Sequence, residues 1–308
     1  MFRMTSYVAA PAIVLLLGGT AHAALTVDQV WQSWKDAGAL VGLEVTAATE
    51  NSDGGTLTLN GVSVAAAGMP GITISDMVMT EAGDGSVTIM PGADIGMTLS
   101  GETKGTAKLV HEGLTMTARE ADGGLAYDFS AAKLDVVYDT TTAGMSLDGS
   151  AAPDVASSGT VGFTDLAGTY SDTPGTNRTF GLDVKASALA YDTRLDDPSL
   201  EIKQTTTSST DNVELSFDFV LPSTISLAAL AAPADFGTAL QEGLSVTFAT
   251  KQGDSIGTMD QESTFMPMTF AIKAGGGEAA GVFNKDTFDI QSSGSGLEID
   301  VTSAMMPA

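Results

Sequence analysis

A chain of 308 residues, 43% apolar and 17% charged, is long enough to bury a sizeable core, and 13 basic against 38 acidic residues argue against binding nucleic acid or anionic lipid surfaces by charge. With no cysteine, disulfides, lipid attachment through sulfur and thiolate chemistry built within the chain are excluded. Gly at 35, long Ser/Thr runs and only 6% aromatics favour an all-β architecture whose core rests on Val, Leu, Ile, Ala and Met. The acidic excess reads as solubility, with attraction of divalent cations or a basic partner as the sharper alternative.

Residues 1–23 carry the marks of a signal peptide: Arg3 ahead of the apolar run Val8 to Leu17, then Ala21-His22-Ala23 as the cleavage site. The run is too short to span a bilayer, so the chain is not expected to be an integral membrane protein. The mature protein is expected to begin near Ala24, in a Gram-negative periplasm or secreted. Within 24–44, Thr26-Val27-Asp28-Gln29 forms a capping box, and Val27, Val30, Trp31 and Trp34 fall on one helical face. That helix should end near Gly38 or Gly42. It holds both tryptophans, and it reads as a plug on the β core rather than a docking helix or a sugar platform.

The first β region is expected over 45–147. Leu57 to Val64 and Ile72 to Met79 share one pattern, alternation with period two broken by a step of three, from Leu59 to Val62 and from Ile74 to Met77. A one-residue β-bulge at Asn60-Gly61 or Ser75-Asp76 would keep one face inward while bending the strand. Leu57, Leu59, Val62, Val64, Ile72, Ile74, Met77 and Met79 are therefore the candidates for a concave, ligand-binding face. Asp-Gly turns near 53, 84 and 122 separate short alternating runs, and Leu134, Val136 and Tyr138 slip phase again. Residues 148–160 read as a linker. A second β region, 161–308, repeats the grammar, with Leu166 three residues after Phe163 and short helices within 224–242. The chain stops at Met305 to Ala308, just after a strand-like run, and so reads as truncated. The expected fold is mainly β: a long, curved, bulged antiparallel meander with an N-terminal helix and a short helical segment near 224–242, as one domain or two similar ones.

Motifs for chemistry are weak. Gly253 to Gly257 matches G-x-S-x-G, but no helical pattern follows it, and His111 is the one histidine downstream of the cleavage site. Ser130 to Lys133 matches S-x-x-K without its companion motifs. Met77/Met79 and Met266/Met268 could offer thioethers to Cu(I), though Met77 and Met79 sit at inward positions. Asp192, Asp196 and Asp197 are the densest acidic cluster and a candidate Ca²⁺ site, with a solvated turn as the plainer reading. An outer-membrane barrel fits poorly, because the aromatic girdle residues are too few.

The signal peptide, the Trp31/Trp34 helix and the slipped strand alternation together resemble an uncharacterised family of secreted alphaproteobacterial-type proteins, a domain of unknown function with no assigned catalytic residues. The slipped alternation is also similar to the curved sheets of envelope proteins that cradle lipid chains. The bent strands with Leu, Ile, Val and Met on one face, and the lack of a catalytic constellation, point to a non-catalytic periplasmic envelope protein without a cofactor. It would bind a lipid or hydrophobic ligand, or an envelope partner, on its sheet. Alternatives are a carboxylate-dependent glycan hydrolase and a Ca²⁺-stabilised surface or structural protein.

Overall fold

A computed structural model describes residues 24–40, 42–66, 71–121, 123–145, 151–225, 230, 233–263 and 267–303. The expected signal peptide, most of Leu227 to Ala232, Met266 and Met305 to Ala308 lie outside these residues. Among the described residues two helices, α1 (Val27–Leu40) and α2 (Pro233–Glu242), accompany seventeen strands. The strands are β1 (Leu43–Asp53), β2 (Thr56–Ala66), β3 (Ile72–Glu81), β4 (Val87–Pro91), β5 (Ile95–Leu99), β6 (Thr103–Glu112), β7 (Thr115–Ala121), β8 (Gly124–Met145) and β9 (Ala151–Thr173). They continue with β10 (Asn177–Asp197), β11 (Ile202–Pro222), β12 (Ser245–Gln252), β13 (Ser255–Ser263), β14 (Met268–Ala274), β15 (Gly277–Phe283), β16 (Phe288–Gly294) and β17 (Glu298–Ser303).

The capping box closes as its residue types require. Gln29 Oε1 accepts from the Thr26 amide at 2.8 Å, and the Gln29 amide donates to Thr26 Oγ1 at 3.3 Å, which satisfies two donors that a helix start leaves free. At the far end the Gly42 amide bonds the Ala39 carbonyl at 3.2 Å with φ at 76°, a left-handed cap. Helix α2 stops in a Schellman arrangement, Leu244 amide to Ala239 carbonyl at 2.8 Å and Gly243 amide to Leu240 carbonyl at 3.3 Å.

All strand pairings are antiparallel, and every row pairs with its neighbours in sequence. Five short pairs (β4/β5, β6/β7, β12/β13, β14/β15 and β16/β17) continue each other across a common break, so the seventeen strands make twelve rows of one meander. Among the described residues β1 pairs with β2 alone, and β16 and β17 pair with β15 and β14 alone, so the sheet has two free edges. Residues 151–160 are not a linker. They form the first half of β9, between β8 and β10, so the two expected β regions are one sheet. An Ala/Ser-rich sequence can do this because both its neighbours supply ladder bonds and it need bury no large side chain.

The break in alternation differs from the expected one-residue bulge. On either side of Gly61 the register is unchanged, with Ala47 opposite Val62 and Thr49 opposite Asn60, and Asn60 also faces Asp76 as Val62 faces Ile74. The rows bend in step along one line. It crosses Ala48, Gly61, Ser75, Gly113, Ala132, Asp165, Ser187, Asn212, Gly253, Gly275 and Gly296. Five of these residues have left-handed backbones: Gly61 (φ 60°), Gly113 (67°), Asp165 (49°), Asn212 (50°) and Gly296 (63°). Gly carries no Cβ penalty there, and Asp and Asn are the side chains that best tolerate it. Extra residues occur at two places on the crease: Gly92, Ala93 and Asp94 face Ser75 and Asp76, since Met77 pairs with Pro91 but Ile74 with Ile95, and the six residues from Val110 to Thr115 face the five from Met90 to Asp94, since Ile89 pairs with Met116 but Ile95 with Leu109. The first lies at one of the two expected positions, with the extra residue on the neighbouring strand.

The crease returns the apolar side chains to one face after each step of three. Leu57, Leu59 and Val62 share a cluster with Met77, Met79, Val87 and Ile89 beneath Val27, Val30 and Trp31 of α1. Tyr170, packed against that cluster, is paired with Leu182, and Phe180 two residues on lies in the cluster under α2. Both helices therefore cover the same face. A third cluster, Ala131, Leu166 and Ala186 with Phe129, Leu134, Phe163 and Val184, draws residues from both sides of the crease and none from a helix. The sheet's own fold buries it, so the apolar face is on the inside of the crease.

Candidate functional site

One cross-strand ladder on the apolar face runs through all twelve rows: Ala47, Val62, Ile74, Ile95, Leu109, Val136, Val161, Tyr191, Ser208, Gly257, Ile272 and Ile299. Ten of these residues are apolar or aromatic, and the polar interruption is the small pair Ser208 and Gly257. Alternation places more polar residues on the other face, for example Asp135, Thr160 and Lys273, though Val110, Val137 and Ile256 are also exposed there. The helices cover the first rows and the end of the sheet near Tyr127 and Phe219. Beyond them the face is open, with Tyr191 38%, Ile272 42% and Ile299 53% exposed.

Where the open face meets α1, a cleft of about 850 Å³ is lined by Trp34, Met116, Leu125, Tyr127 and Tyr170, with Asp36, Glu120, Asp172 and Arg178 around it. Three steps build it. Helical spacing puts Trp34 on the sheet side of α1; Tyr127 alternates with Leu125 and Phe129 on β8; and the β8–β9 register sets Tyr170 opposite Tyr127. The rings follow one another, Trp34 to Tyr127 at 6.5 Å and Tyr127 to Tyr170 at 5.8 Å between centroids. Trp34 Nε1 donates to Tyr127 Oη at 3.2 Å, and Ser33 Oγ lies 3.0 Å from the same oxygen. Burial raises the Tyr127 phenol above its usual range, and burial with the Asp172 charge pushes Tyr170 up to about 12. Arg178 donates from Nε to Asp172 Oδ1 at 2.6 Å and from its terminal nitrogen to Oδ2, a two-pronged pair across the β9–β10 turn. The guanidinium also lies 5.3 Å from the centre of the Phe180 ring.

The residues singled out from the sequence divide. Leu57, Leu59, Val62, Met77 and Met79 are sealed in the core under α1, Leu59 and Met79 at 0% exposure, so they are closed to any ligand and to copper. Val64 and Ile74 are partly buried against that core, and only Ile72, 45% exposed, faces out. Trp31 is core; Trp34 lines the cleft.

Asp192, Asp196 and Asp197 do not converge. Asp196 approaches Lys203 at 3.8 Å. Asp197 accepts from the Ser199 hydroxyl and the Ser199 and Leu200 amides, which hold its carboxyl below the usual range. Among the described residues no group of three or more His, Asp or Glu side chains is placed to hold a metal ion. Ser255 of the G-x-S-x-G match opens a strand and meets Thr210 Oγ1 at 3.0 Å. His111 Nε2 lies 3.0 Å from the Gly92 carbonyl, holding the extra residue opposite Ser75 and Asp76. Glu50, beside the Lys35 ammonium at 2.9 Å, and Asp84, bonded by Ser86, are also held below the ordinary carboxylate range. A glycosidic general acid needs the opposite shift.

No helix among the described residues is long and apolar enough to cross a membrane. No protein-family model, curated protein or solved structure matches this chain.

Proposed function

We propose that the protein holds an elongated apolar ligand, the acyl chain of a lipid, against the inside of the creased sheet. The observation that carries this reading is the twelve-row ladder: apolar or aromatic side chains at ten of its positions, in register, with Tyr191, Ile272 and Ile299 exposed beyond α1 and α2, on the side toward which the sheet folds. Monomeric proteins rarely leave an apolar surface of that extent open unless something covers it. An acyl chain fits because the strip is long, narrow and almost free of hydrogen-bonding side chains. The role is non-catalytic, and the export signal read in residues 1–23 would place it in the periplasm.

The test is organic extraction and mass spectrometry of protein purified from a Gram-negative periplasm. Wild-type protein should carry phospholipid near one equivalent. A Val161→Asp, Tyr191→Asp variant, altered on the open face away from the core, should carry none while keeping its far-ultraviolet circular dichroism. A lipid-free wild-type monomer, or an unchanged lipid content in the variant, would overturn the reading.

A further inference from the structure

We propose that the cleft beside α1 receives the ammonium-bearing head group of a zwitterionic phospholipid whose acyl chain lies along the crease. This rests on the reading of the creased face as a lipid groove and names the class of lipid it selects. The cleft adjoins the groove: Tyr127 lines the cleft, and Phe129, two residues along the same face of β8, is partly buried against the crease cluster, so a chain would lie over Phe129 and not among the buried Ala131, Leu166 and Ala186. A chain in the crease therefore ends where Trp34, Tyr127 and Tyr170 begin.

The chemistry of that end is specific. Arg178 is already engaged by both oxygens of Asp172, which neutralises the one cation in the lining. Asp36 accepts from Gln32 at 2.8 Å, and among the described residues no basic side chain pairs with Asp36 or Glu120. The lining holds three carboxylates, Asp36, Glu120 and Asp172, to one guanidinium, beside the half-buried rings of Trp34 and Tyr170, with the Tyr127 ring sealed behind them. The negative faces of those rings and the carboxylates both attract a quaternary or primary ammonium. They repel a head group whose only charge is a phosphate.

Both tryptophans of the protein, Trp31 and Trp34, belong to this region, so intrinsic fluorescence reports on it directly. The experiment titrates delipidated mature protein, at low ionic strength, with lysophosphatidylcholine, lysophosphatidylglycerol of the same acyl chain, and tetramethylammonium chloride. Lysophosphatidylcholine should bind about tenfold tighter than lysophosphatidylglycerol, and the gap should shrink to roughly threefold or less in Asp36→Asn, Glu120→Gln protein. Lysophosphatidylglycerol should bind that variant at least as well as it binds wild type.

Equal affinities for the two lipids in wild-type protein would overturn the head-group assignment while leaving the groove intact. Binding of neither lipid would overturn the groove itself. Tetramethylammonium binding as tightly as lysophosphatidylcholine would overturn the lipid as the source of the ammonium.

Discussion

Trp34 donates its indole N–H to the phenolic oxygen of Tyr127 at 3.2 Å, joining α1 to β8 across 93 positions of the chain. The bond fixes the helix over the sheet and also fixes the wall of the cleft. Replacing Tyr127 with Phe removes the acceptor but keeps the ring, and should cost about 1–2 kcal/mol by leaving a part-buried N–H unpaired. Urea unfolding followed by tryptophan emission checks it, and a shift in the native emission maximum should accompany the loss.

The sealed and open parts of the apolar face should respond differently to truncation. Leu59→Ala, beneath α1, should lose about 2–5 kcal/mol, because the surrounding side chains close only partly over the space. Ile72→Ala, on the same sheet but exposed, should change stability by about 0.5 kcal/mol or less. Paired denaturant midpoints decide between them, and similar losses would mean that the open face is covered by the chain itself.

The crease depends on left-handed backbone at a few residues. Asn212→Val should destabilise by roughly 1–2 kcal/mol, since a branched side chain at φ 50° collides with its own carbonyl. Asn212→Gly should be neutral or stabilising. Gly61→Ala should cost about as much as the valine change, because its new methyl would sit 3.1 Å from the Ala48 methyl in addition to the unfavourable φ. Thermal unfolding of the three variants is sufficient.

Tyr170 sets an alkaline limit. Its folded pKa, about 12, lies above the ordinary value of 10.0, so below pH 10 the phenol is protonated in both folded and unfolded chains and its contribution is fully present. Between those values the unfolded chain releases the proton while the folded one retains it, and stability falls as pH rises. Tyr170→Phe should flatten that decline and remove the latest rise in tyrosinate absorbance.

The helix start, the all-β class and the shared inward face could be read from residues near one another in the chain. Thr26 with Gln29 and the step from Leu59 to Val62 are local signals, and each corresponds to what the backbone does. The linker reading failed because small residues are poor in hydrophobic signal whether they lie in a loop or between two strands. The bulge reading applies beside Ser75-Asp76, with the extra residue on the facing strand, and not at Asn60-Gly61, because a step of three cannot tell an extra residue in one strand from a bend shared by every strand. Whether Leu57 to Met79 would be open or sealed depended on where α1 docks, which no periodicity discloses. The cleft was hidden for the same reason: Tyr127 and Tyr170 are 43 positions apart and meet through register alone. The pair Asp172 and Arg178, flanking a turn, was the one local trace of it.

Each row of the meander is bonded only to the rows just before and after it in sequence, apart from the contacts of the helices. Among the described residues the first and last strands make no closing contact, so the sheet should behave as a zipper, with short loop closures at every step and no single late event that locks the whole. Protection against hydrogen exchange should then be graded along the chain. It should be highest in β2 to β4, clamped beneath α1, and lowest in β16 and β17, where Phe288, Ile290 and Ile299 stand exposed on an unguarded edge.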